Sequence, residues 1–155
     1  MHSDPADPYR DALYAAEDEA LPDGGRRFTR FASIEKFVGE VISDPFWEMT
    51  FPDAPVEVEI RRRSRGATFS AAHVAEDGQA AVLFIRDGSW TMAVVVHELA
   101  HVASFTANRT DGSHGPEFAA ALLKLWRKYL GMHAYGALRS ALDGRDVPYR
   151  RARRG

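Results

Sequence analysis

Two rhythms of apolar residues run along this chain, and the change from one to the other outlines the expected elements. Ile34, Phe37, Val38, Val41 and Ile42 recur at i, i+3, i+4, i+7 and i+8, which predicts a core-facing helix capped by Ser33 and ended by Pro45. Before it, Tyr9, Leu13, Ala16 and Ala20 share one helical face, with Asp7 as cap, Pro8 as first helical residue, and Pro22 and the Gly24-Gly25 pair as the stop. From residue 56 the period falls to two. VEVEIRR (56–62) alternates Val56, Val58 and Ile60 with charged residues, as a strand with one wet face does. ATFSAAHVA (67–75) is a second strand candidate, joined through Glu76-Asp77-Gly78 to QAAVLFIR (79–86), whose unbroken apolar run predicts burial on both faces. The helical period returns from about Trp90 to Thr106, and again after Pro116, where Phe118, Leu122, Leu125, Trp126 and Tyr129 form an apolar face that Gly131 ends. A short helix over 133–142 follows. The fold class predicted is α+β: a small three-stranded sheet packed beside the 90–106 helix, flanked by N- and C-terminal helices.

Composition sets bounds on this picture. A chain of 155 residues, 45% of them hydrophobic, suffices for one domain that buries about 70% of the surface its unfolded form exposes. With no internal repeat or linker, residues 1–148 read as one domain and YRRARRG (149–155) as a basic tail. No apolar run approaches the roughly 20 residues needed to span a bilayer, and the acidic N-terminus lacks a signal-peptide core, so a cytoplasmic protein without membrane partners is expected. The net charge of −2 hides a split. Seven acids stand against Arg10 in residues 1–25, whereas five arginines stand against Asp146 in residues 144–155.

The helix at 90–106 contains the sequence VVVHELAHVASFT (94–106), which puts two imidazoles and a carboxylate into a core-seeking run. Such groups are costly to bury without partners, and a metal ion would supply one. Four residues advance an α-helix by about 400° and about 6 Å, so His97 and His101 project from one face and can grip a single ion. Glu98 stands about 100° around, beside the ion's open position, where it can accept a proton from metal-bound water. This is the H-E-x-x-H arrangement, in which zinc activates water and polarises a carbonyl while the glutamate acts as general base.

A catalytic zinc takes a third protein ligand and keeps a fourth position open. With no cysteine in the chain, the downstream candidates are Asp111, His114, Glu117 and His133. His114 ranks first because glycines flank it in DGSHGPEF (111–118), letting the loop return before Pro116 starts the next helix. Glu117 ranks next; its other role is a favourable charge in a helical first turn. Asp111 suits a turn, His133 a helix cap and His2 a terminal tail. His73 sits in a strand, either half-exposed or facing the cleft. Arg109, His133 and Tyr135 are candidates to stabilise an oxyanion.

HELAH followed by HGPEF resembles the SprT-like branch of zinc metalloproteases, and is similar to small H-E-x-x-H metallohydrolases of high-GC bacteria and their phages. The resemblance covers roughly residues 56–130 and rests on the two motifs. It implies a zincin-like fold, metal ligation by His97, His101 and His114, and the general-base role for Glu98. SprT-like proteins often carry a cysteine zinc ribbon, and this chain has no cysteine to build one, which weakens the inference of a DNA-linked substrate. The function expected is hydrolysis of a peptide or protein substrate at an amide bond, with Zn²⁺ as cofactor. The competing class is a metal-stabilised module that binds nucleic acid or another anion through RRRSR (61–65) and the arginine-rich tail. Neither basic run is interleaved with the aromatic residues that stack single-stranded bases.

Overall fold

The structure is a computed structural model that describes residues 7–67, 69–105 and 113–149. The expected placements of His2, Arg109, Asp111, the helix end at Thr106 and the tail beyond Tyr149 lie outside the described residues. Among those described there are six helices and one three-stranded sheet, an α+β arrangement, and they fall into two compact units. No described helix is long and apolar enough to cross a membrane.

The first unit covers residues 26–105 of those described. Its helix α2 (Phe31–Ser43) buries Ile34, Phe37, Val38 and Val41, while Ile42 at the stripe's edge is half-buried. The helix begins before Ser33: Arg30 is the N-cap, so Ser33 lies inside the first turn. Pro45 ends α2 and also starts another helix, α3 (Pro45–Thr50), which the apolar pattern did not predict. Asp44 caps it by accepting a hydrogen bond from the Phe46 N–H at 2.9 Å, and Trp47 is fully buried with its indole N–H donating to the Pro55 carbonyl.

The three strands are β1 (Glu57–Arg63), β2 (Ala71–Val74) and β3 (Ala80–Arg86), in the order β1-β3-β2. β2 is only four residues long, shorter than the 67–75 run suggested. It pairs antiparallel with β3 through a turn in which Gly78 has φ +72°, a value that favours glycine. β1 pairs parallel with β3 from Glu57 opposite Ala80 to Arg63 opposite Arg86. β3 is not buried on both faces as its apolar run predicts: Ala81, Leu83 and Ile85 are buried, whereas Ala80, Val82, Phe84 and Arg86 are half-buried. Alternation is present there, but the half-buried face also carries apolar residues, Ala80, Val82 and Phe84, which conceal it in the sequence.

Helix α4 (Met92–Ala103) packs on β2 and β3. It is shorter than the 90–106 span expected, because Thr91 caps its start by accepting from the Val94 N–H at 3.3 Å and Ser104 closes its end. Six consecutive positions, Val95 to Ala100, are buried, and His101 after them is half-buried. A segment at 26–28 lies antiparallel to 90–92: the Phe28 N–H donates to the Trp90 carbonyl at 2.8 Å and the Met92 N–H to the Arg26 carbonyl at 2.7 Å.

The second unit covers 7–25 and 113–149 of the described residues. Helix α1 (Arg10–Ala20) buries Leu13, Ala16 and Glu17, and it packs on α6 (Met132–Gly144), which also packs on α5 (Pro116–Tyr129). Helix α5 has Pro116 in its first turn and buries Phe118, Leu122, Leu125 and Trp126, with Tyr129 half-buried. Gly131, at φ +94°, turns the chain into α6. The expected cap role of Asp7 does not hold: α1 starts at Arg10 with Tyr9 as N-cap, and the Asp7 side chain is engaged elsewhere.

Candidate metal centre

In α4, His97 and His101 are one turn apart, and their ring centroids lie 5.1 Å from each other with planes inclined by 71°. Both rings therefore leave the helix on the same side, as the spacing requires. His97 and Glu98 are 3% and 4% exposed, so the helix holds an imidazole and a carboxylate almost wholly out of water. Leu99, Ala100 and Val102, all fully buried, anchor the rest of that turn in the apolar interior and fix its rotation.

His114 stands just before α5 and is 5% exposed. Its Nδ1 lies 2.7 Å from Asp7 Oδ2, and its backbone N–H donates to Asp7 Oδ1 at 3.2 Å. The Ser113 hydroxyl donates to Asp7 Oδ2 at 3.0 Å. A carboxylate accepts only, so Nδ1 carries the proton toward Asp7, and the neutral ring then bears its lone pair on Nε2. The ring is confined by Tyr14, at a centroid distance of 5.4 Å, and by Phe118 at 5.0 Å. Histidine ligands of metal ions characteristically donate their other N–H to such a carboxylate, which fixes the ring and raises its basicity.

One donor atom from each of His97, His101 and His114 lies within 4.8 Å of the other two, close enough for the three to hold one metal ion. Glu98 and Glu117 do not belong to this group. Glu117 is half-buried in the first turn of α5, the position where a carboxylate meets the positive end of the helix. His73 is exposed on β2 and His133 is exposed in the first turn of α6, and neither joins the three histidines. Tyr135 is half-buried under the Arg127 guanidinium, whose carbon lies 5.8 Å from the ring centre.

The residue that the sequence pattern missed is Asp7. Aspartate followed by proline is a local helix-start signal, and it masked a partner 107 positions away. No family model matches this chain, and neither the curated proteins nor the solved structures give a significant match.

Proposed function

We propose that this protein is a zinc-dependent metallohydrolase of zincin-like fold, acting as a peptidase on a peptide or protein substrate. The observation that carries the reading is the approach of three imidazoles, from His97, His101 and His114, to within 4.8 Å. An all-nitrogen donor set without thiolate suits zinc, and the commitment of His114 Nδ1 to Asp7 leaves that ring's ligating lone pair on Nε2. The likeness of HELAH and HGPEF to the SprT-like proteases supports the same assignment.

A bound zinc would supply Lewis acidity toward the substrate carbonyl and bring the pKa of a water toward neutrality. The protein's own part falls to Glu98. A carboxylate oxygen of its side chain takes the proton of the attacking water and returns it to the leaving amine, so one group serves first as base and then as acid. Its burial keeps competing water away and holds the side chain to few rotamers. His97 and His101 would hold the ion from one face of α4, and Asp7 orients the third ring.

Elemental analysis of protein expressed in zinc-supplemented medium should give one zinc per chain, and a chelator should abolish cleavage of an unstructured protein substrate. A folded, metal-free protein would defeat the proposal. Asp7→Ala should keep the ion but bind it about 10- to 100-fold more weakly, the usual effect of losing an outer carboxylate partner. Asp7→Asn, which still accepts from Nδ1–H, should fall between the two. Competition titration against a chromophoric chelator, alongside thermal melts, measures both effects; equal zinc affinity in all three proteins would remove Asp7 from the centre.

A further inference from the structure

A cavity of about 300 Å³ opens in the unit that contains the sheet, and its lining includes Arg27, Phe28, Arg62, Arg65, Asp87 and Trp90. Three guanidinium groups from two separate stretches of chain meet one carboxylate there. Asp87 is already committed: its two oxygens accept from Arg62 Nε and Nη2 at 3.1 and 3.2 Å, a two-point pairing that neutralises this arginine. Arg62 is also stacked, its guanidinium carbon 5.2 Å from the centre of the Trp90 ring and 5.9 Å from that of Phe31. Arg27 and Arg65 have no carboxylate partner among the described residues.

The backbone holds these two arginines at the cavity. Arg27 lies in the segment bridged to Thr91, between the hydrogen bonds Phe28 to Trp90 and Met92 to Arg26. Arg65 lies against Gly88, where a Cβ would come within 3.1 Å of Nη1 and 3.2 Å of the guanidinium carbon. Glycine at that position leaves the space that the guanidinium occupies.

Two uncompensated positive groups facing one concavity repel each other, and an anion between them would reverse the sign of that interaction. Guanidinium forks match the oxygens of carboxylate and phosphate alike, and a phosphate, with more oxygens and more charge than a carboxylate, can engage two arginines at once. The volume is at the small end of the roughly 300–1,000 Å³ of small-molecule sites, which fits a compact ligand better than a polymer track. We propose that this cavity binds a phosphate-bearing small molecule, with Arg27 and Arg65 gripping phosphoryl oxygens and the Arg62–Asp87 pair forming a rigid wall. The proposal is independent of the metal centre.

Calorimetric titration of the full chain with pyrophosphate tests it, with duplex DNA as competitor. Saturable binding of one pyrophosphate is expected, weakened at least about tenfold in Arg27→Ala/Arg65→Ala, as the loss of charge-assisted hydrogen bonds implies. Arg65→Lys keeps the charge without the fork and should show part of that loss. Arg127→Ala/Arg139→Ala, which removes the same charge from α5 and α6, should bind as the wild type does. Absence of saturable binding at millimolar pyrophosphate would overturn the proposal. So would an equal loss in the two double variants, or salt-sensitive DNA binding that pyrophosphate does not displace, since each would reduce the arginines to general surface charge.

Discussion

Glu98→Gln is expected to retain its zinc and its melting temperature while losing hydrolysis by about 100- to 10,000-fold, the range a positioned general base contributes. Glutamine keeps the length and planar end group of glutamate but has no carboxylate to receive a proton. The position is 4% exposed on a helix with both neighbours buried, so a side chain of the same size meets the same packing. The loss should therefore fall on kcat, with KM little changed, because the interaction removed belongs to the transition state. Cleavage of an unstructured protein substrate, read beside zinc content and thermal melts of the same preparations, separates the possibilities. Undiminished turnover in a zinc-loaded variant would exclude Glu98 as the base. Loss of zinc together with activity would instead make Glu98 part of the ion's support.

How much of this was legible in the sequence depended on how far apart the interacting residues lie. The stripe Ile34, Phe37, Val38 and Val41 announced α2 because helical burial repeats within a few residues, and the same locality placed His97 and His101 on one face of α4. The strands were legible as strands, but the parallel register of β1 on β3 was not, since pairing between strands separated by another strand in sequence leaves no periodic trace. Helix α3 is hidden for a different reason: Pro45 reads as the stop of α2, although proline preceded by aspartate is also a good start, and Asp44 is its cap. The same dipeptide misled in the opposite direction at Asp7-Pro8, where the carboxylate turns to His114. The run RRRSR looked free of aromatic neighbours because Trp90 and Phe31 reach Arg62 only through the fold.

The third ligand provides the sharpest test, because the two candidates, His114 just before α5 and Glu117 in its first turn, differ in what their loss should do. His114→Ala should weaken zinc binding by more than the roughly 10- to 100-fold expected for its outer partner Asp7, since it removes a donor atom rather than the group that orients one. Two histidines one helical turn apart would remain, with one more coordination position left to water. Glu117→Ala should leave zinc affinity unchanged and cost about 0.3–1 kcal/mol of stability, the worth of a carboxylate in a helical first turn. Removing the His114 ring leaves the Asp7 carboxylate without its 2.7 Å partner in a buried place, which destabilises the fold for reasons unrelated to zinc. The double variant Asp7→Asn/His114→Ala takes away that stranded charge and should regain part of the lost melting temperature, yet it should bind zinc no better than His114→Ala alone. Wild-type affinity in His114→Ala, with a severe loss in Glu117→Ala, would instead assign the ion to two histidines and a carboxylate, and the Asp7–His114 pair would become a structural contact between the segment before α1 and the segment before α5.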